Sequence, residues 1–188
     1  MYRFIPGVPL DRQRLLALDA PARERISSSG TRKEYEQLYE AAERELLPRM
    51  MAWARDWARE LFRPMFDGAL DLTYAPAIVH GDLAPYHLCF DPATQRLNGV
   101  IDFGNAGPGD PALDLGSIIT GFGESLLLRM ETVYPELSAF LDRARFRAAT
   151  LELRWALAAL RSRDPAWFLC HLGYARDAWP VGWPGKRA

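Results

Sequence analysis

The sequence predicts an α+β fold, predominantly helical, with one small β element in the middle of the chain. Apolar residues recur at helical spacing on both sides of residues 77–102, and within that stretch three short apolar runs separated by polar turns replace the periodicity. Size agrees: 188 residues with 49% apolar and 25% charged side chains suffice for one domain with a sizeable core.

The chain opens with an extended piece, Tyr2 to Ile5, closed by Pro6 and Gly7. From Leu10 to about Phe66 the pattern is helical. "KEYEQLYEAAERELL" sets Tyr35, Leu38, Ala42 and Leu46 on one face, with Glu34, Glu36, Glu40 and Glu43 as an acidic flank read as solvated. "SSSG" and Pro48 punctuate this region. The block Arg49–Arg63 carries Met50, Trp53, Trp57 and Leu61 at similar spacing, read as a core stripe. In the middle, "AIVH", "HLCF" and "LNGVIDF" read as strands, the last two joined by "DPATQR" as a polar hairpin connection. After Gly109 helix returns: Asp110 caps, Pro111 takes the first helical position and "ALDLGSII" supplies the apolar face. Further helical segments start at about Glu124, Glu136 and Phe146.

Composition excludes several function classes. The net charge of −1 supplies no positive field for nucleic acid or anionic lipid. Positive charge is nearly all arginine, with Lys33 and Lys186 the only lysines. Cys89 and Cys170 are too few for a disulfide framework, and no apolar run nears the roughly twenty residues of a membrane helix. The expected setting is cytoplasmic and reducing, with neither nucleic acid nor membrane as partner.

Chemistry concentrates in "IVHGDLAPYHLCFD", which holds two of the three histidines, His80 and His87, with Asp82 between them. The predicted strands place these residues on a loop leaving one strand and Asp102 at the end of another, a common seat for catalytic groups. Two carboxylates and a histidine at strand ends suit a reaction needing one base and one divalent metal. Phosphoryl transfer has that requirement: an orienter for the acceptor hydroxyl and metal ligands that bridge nucleotide phosphates.

"VHGDLAPYHL" followed by "GVIDFGNAGPGDPALDL" resembles the paired signature of the aminoglycoside phosphotransferase family, kinases with a protein-kinase-like fold, usually written HGDxxxxN and IDxxxxxxGDPxxDL. The second block matches at Ile101, Asp102, Gly109, Asp110, Pro111, Asp114 and Leu115. The resemblance implies the C-terminal lobe of that fold, with the β element carrying the catalytic loop. It implies transfer of the γ-phosphate of ATP or GTP, with Mg2+, to a hydroxyl of an aminoglycoside-like, macrolide-like or metabolite acceptor. Asp82 would be the catalytic aspartate and Asp102 a metal ligand. His80 and Asp114 would brace the loop, and Asp110 would be a helix cap rather than a catalytic group. His87 stands where the family usually has asparagine and would complete the metal site, as in the similar aminoglycoside 2″-phosphotransferases and macrolide phosphotransferases. Imidazole is a poorer ligand than an amide oxygen for a hard cation such as magnesium.

In this comparison residues 1–9 resemble the hinge between the two lobes, so Tyr2, Phe4 and Ile5 would border the nucleotide base, and residues 10–188 form the C-terminal lobe. Neither Lys33 nor Lys186 suits the phosphate-binding lysine of the other lobe, and "GFGESL" at Gly121 reads as a connection rather than a phosphate loop. The expectation is therefore half of a kinase, a poor catalyst alone, exposing an apolar face able to form a homodimer. Acidic residues such as Glu40, Glu43 and Glu124 are candidates to meet a cationic acceptor. Two alternatives stay open: a non-catalytic kinase-like lobe serving binding or dimerisation, and a metal oxygenase using His80, Asp82 and His171.

Overall fold

A computed structural model of the chain describes residues 31–162 and residue 181. The hinge-like residues Tyr2, Phe4 and Ile5, and also His171, Cys170 and Lys186, lie outside the described residues. Five α-helices and four short strands are described and are numbered here in chain order.

Helix α1, Arg32–Ala41, starts where Thr31 turns its hydroxyl oxygen back to accept the Glu34 N–H, an N-cap. A wider turn, Ala42–Leu46, and a 3₁₀ turn, Leu47–Arg49, lead into α2, Ala52–Phe66. The acidic flank of α1 is less solvated than expected: Glu34 pairs with Arg154 at 2.7 Å, and Glu43 with Arg59 at 2.8 Å.

The stripe expected in the core of α2 is corrected by the structure. Trp53 and Trp57 are 68% and 44% exposed, whereas Ala58, Phe62 and Met65 are buried. Two apolar stripes lie one residue apart on this helix, about 100° around its axis. The Phe62 stripe faces inward, where its ring meets Phe146 at 5.5 Å and Tyr39 at 5.0 Å between centroids. Met50 and Leu61 still pack against that cluster as half-buried residues.

The middle of the chain holds two antiparallel pairs. Strand β1, Ala77–Val79, pairs with β4, Gly107–Gly109, and β2, Leu88–Asp91, pairs with β3, Arg96–Val100. The hairpin turn between β2 and β3 is held by Asp91, which accepts from the Ala93 N–H at 2.8 Å and the Thr94 hydroxyl at 2.7 Å. Strand β4 is "GPG", a composition that signals turns and that sequence patterning does not register as strand.

Helix α3, Ala112–Phe122, follows, then α4, Glu124–Arg129, two 3₁₀ turns and α5, Leu141–Ser162. Helix α5 begins five residues before Phe146, the expected start, and forms the spine of the fold. One face packs Phe146, Leu153 and Leu157 against α1 and α2; another packs Ala144 and Ala148 against α3 and α4. Phe146 sits 4.7 Å from the ring of Tyr35 and is fully buried. The predominantly helical architecture with a small β element in the middle is as expected. Among the described residues no helix is long and apolar enough to cross a membrane.

Candidate active site

The loop between β1 and β2 is shaped by its own backbone and anchored from α3. Gly81 has φ +80°, the left-handed region that glycine enters without steric cost. Space also demands glycine, because a Cβ there would lie 2.6 Å from the Asn105 carbonyl oxygen. Asp114, in the first turn of α3, accepts both neighbouring amides: the His80 N–H at 2.7 Å and the Gly81 N–H at 2.9 Å. A carboxylate that takes two backbone donors fixes the loop's turn to the helix.

The two histidines are held as opposite tautomers. His80 directs Nε2 at the Ile101 carbonyl at 2.9 Å, so that nitrogen carries the proton, and Nδ1 accepts the Asp82 N–H at 3.3 Å. Both its ring nitrogens are engaged, and its ring packs on Phe103. His87 directs Nδ1 at the Asp82 carbonyl at 2.7 Å, which puts the proton on Nδ1 and leaves Nε2 turned toward Asp102. That Nε2 lies 3.4 Å from Asp102 Oδ2. His87 is buried, and Asp102 takes a left-handed backbone, φ +62°, at the start of the Phe103–Asn105 turn.

Asp82, His87 and Asp102 are thus brought together, with Asp82 Oδ2 4.0 Å from His87 Nδ1. The side chains of Asp82 and Asp102 are 45% and 64% exposed, open to a ligand. Asp110 is buried and does more than cap: it accepts the Ala112 N–H at 3.0 Å and a two-pronged bond from Arg143 at 2.7 and 3.2 Å, tying α3 to α5.

Beside Asp82 opens a small cleft of about 80 Å3. Asp82 and Tyr86 form one side; Ser117 and Thr120 of α3 and Arg147 and Trp155 of α5 form the other. Sequence patterning missed these four helical residues, since helical periodicity alone does not say which positions of α3 and α5 come together. None of the acidic residues expected to meet a cationic acceptor lines the cleft. Glu124 is fully buried and clamped by Arg145 at 2.6 Å, and Glu43 is held by Arg59 and by the Tyr39 hydroxyl at 2.7 Å.

The oxygenase alternative fails on geometry: with both ring nitrogens committed, His80 has no lone pair to give a metal. Among the described residues no group of three His, Cys, Asp or Glu side chains could by itself hold a metal ion.

Comparison with known proteins places the chain in a family. The Phosphotransferase enzyme family (APH) pattern matches residues 7–136. Viomycin phosphotransferase of Streptomyces vinaceus is 36% identical over 100 residues, 52% of this chain and 33% of that protein. Among solved structures, aminoglycoside 2'-phosphotransferase-IIIa in complex with GDP superposes with TM-score 0.71 at 22% identity, covering 87% of this chain and 57% of that one. Macrolide 2'-phosphotransferase type I superposes with TM-score 0.61 at 22% identity, covering 88% and 56%. The chain spans a third to somewhat over half of the length of these relatives. Since the family pattern covers well over half of the chain and the kinase-like fold agrees, this chain belongs to the phosphotransferase enzyme family.

Proposed function

We propose that this chain is the catalytic, acceptor-holding lobe of a small-molecule kinase that transfers the γ-phosphate of ATP or GTP to a hydroxyl. The observation that carries the reading is the convergence of Asp82, which lines the cleft, with His87 and Asp102, with 4.0 Å and 3.4 Å between successive partners.

In this reading the Asp82 carboxylate accepts a hydrogen bond from the acceptor hydroxyl and takes its proton as the oxygen attacks the γ-phosphorus. The bond between that phosphorus and the bridging oxygen breaks, and the nucleoside diphosphate leaves. His80 and Asp114 hold the loop so that Asp82 needs no reorientation. Asp102 and His87 would hold Mg2+. The His87 tautomer fits this role, because Nδ1–H bonded to a backbone carbonyl is the usual second support of a ligating imidazole. Two protein ligands also suit a cation that takes the rest from phosphate and water. When bound, the cation neutralises phosphate charge and fixes the phosphates relative to Asp82.

The test is a nucleotide-consumption assay, on a protein that carries both lobes, with magnesium across a panel of hydroxyl compounds and Asp82→Asn as control. Losing the carboxylate should lower turnover by roughly 10²–10⁴-fold while leaving magnesium–nucleotide affinity within about threefold. Equal turnover by the variant would refute the assignment of Asp82.

One observation favours a second reading, a binding or dimerisation lobe without catalysis. Ile78, Phe90, Leu97, Ile101 and Phe103 are all exposed on the β element around the site. We propose that this rim receives a nucleotide-binding lobe in an active enzyme or a second copy in a non-catalytic one. Absence of turnover in a folded protein that carries both lobes would decide for the latter.

A further inference from the structure

The strongest unexplained group in the molecule is the guanidinium of Arg147. Helix α5 carries five described arginines, and four are paired: Arg143 with Asp110 at 2.7 Å, Arg145 with Glu124 at 2.6 Å, Arg154 with Glu34 at 2.7 Å and Arg161 with Glu45 at 2.8 Å. Arg147 Nε and Nη1 are sealed from solvent and have no hydrogen-bond partner among the described residues; Arg154 Nε and Nη2 share that state, but Arg154 keeps its pair with Glu34. A guanidinium cannot shed its proton near neutrality, so these desolvated donors are an uncompensated cost to the folded state. The fold nevertheless makes room for the stem of this side chain. Gly116 of α3 lies against the Arg147 stem, where a Cβ would come within 2.6 Å of Cγ and 2.8 Å of Cβ. Burial, and next the like charge of Arg147, push the Arg154 guanidinium below its ordinary value.

Arg147 lines the same cleft as Asp82, whose carboxylate is the one acidic group among the lining residues. A polycationic acceptor would meet a resident cation there and a single counter-charge. Ser117 and Thr120 donate their hydroxyl protons to the Leu113 and Gly116 carbonyls, so toward the cleft they offer lone pairs. Trp155 adds an aromatic surface.

We propose that the acceptor carries an anionic group, a carboxylate or phosphate, which the Arg147 guanidinium binds while the acceptor's hydroxyl lies at Asp82. This rests on the kinase reading above. It deepens that reading by assigning the acceptor to hydroxy acids or sugar acids rather than to cationic sugars.

A matched set of probes tests it: glucuronate, glucose and glucosamine, of one size and of charge −1, 0 and +1, titrated into the full chain by calorimetry and tryptophan fluorescence without nucleotide. Glucuronate should bind at least about tenfold more tightly than glucose or glucosamine. Arg147→Met should erase that preference yet hold or raise the thermal midpoint, because it removes an unpaired buried charge rather than a structural bond. Should the methionine variant misfold, Arg147→Lys keeps the test open: it should preserve the sign of the preference and reduce its size, since a point charge replaces a fork. Equal binding of the three sugars, tighter glucosamine binding, no detectable glucuronate binding, or an unchanged preference in Arg147→Met would each overturn the proposal. So would a variant that loses magnesium–ATP affinity while keeping glucuronate, which would assign Arg147 to the nucleotide's phosphate. The kinase reading fails separately: glucuronate bound through Arg147 but never phosphorylated with magnesium and nucleotide present, by a chain that carries both lobes, would refute it and leave the anion site standing.

Discussion

Gly81 concentrates the demands placed on the His80–His87 loop. Its φ of +80°, its N–H donated to Asp114 and the Asn105 carbonyl 2.6 Å from any added Cβ leave no room for a side chain. Gly81→Ala should therefore destabilise by about 2 kcal/mol or more, since left-handed strain alone costs roughly 1–2 kcal/mol. At about 2–4 °C per kcal/mol for a chain of this size, the thermal midpoint should fall by at least roughly 4 °C. A midpoint within a degree of wild type would show that the loop does not need this conformation. At this scale the sequence is legible where the backbone dictates the residue. "HGD" announces its turn through glycine and its chemistry through flanking polar side chains. Arg147 is illegible for the opposite reason: nothing local forces arginine there, and only the meeting of α3 and α5 shows that its donors are sealed and unpaired.

Between elements, two long-range ion pairs make opposite predictions because their burial differs. Arg145 reaches from α5 to Glu124 at the start of α4, and both side chains are essentially without solvent. Breaking such a pair strands a buried charge, so Arg145→Met alone should cost about 3–5 kcal/mol, whereas Arg145→Met with Glu124→Leu should recover most of it. Equilibrium unfolding of both single variants and the double variant measures the coupling, and additive losses would contradict it. Glu45, by contrast, pairs at the surface with Arg161, their side chains 27% and 55% exposed; hydrogen bonds first from Arg161 and then from Arg44 hold its carboxyl at about 2, below the ordinary 4.5. A depressed folded value means stability present above pH 4.5 and lost as pH falls toward 2. The midpoint difference between wild type and Glu45→Gln should thus be small and constant near neutrality and close between pH 4.5 and 2. A difference that widens on acidification would reverse the sign. Element positions were readable wherever periodicity was unopposed, as in α1 and the β2–β3 hairpin. They were not readable in β4, whose "GPG" becomes strand only by pairing with β1, nor in α2, where tertiary packing chose between two apolar stripes.

Viewed whole, the molecule closes its helical side and leaves its β side open. The two helical clusters share α5 as a wall, while β2 and β3 form a two-stranded ribbon in which Phe90 and Leu97 face each other across the ladder at 57% and 56% exposure. A lone hairpin is marginal in water, and unpaired edges with apolar side chains favour association. Ile78, Ile101 and Phe103 extend the same rim around Asp102. If the rim is a docking face, replacing Phe90 and Leu97 by threonine should leave the unfolding free energy within about 0.5 kcal/mol per site, because exposed β-compatible side chains contribute little to the fold itself. The wild-type chain should then associate as its concentration rises in sedimentation velocity, and the same replacement should abolish that association. Unequal outcomes are informative in one direction only: lost stability with unchanged association would mean that Phe90 and Leu97 stiffen the hairpin, and that the open β side of the molecule is a surface rather than an interface.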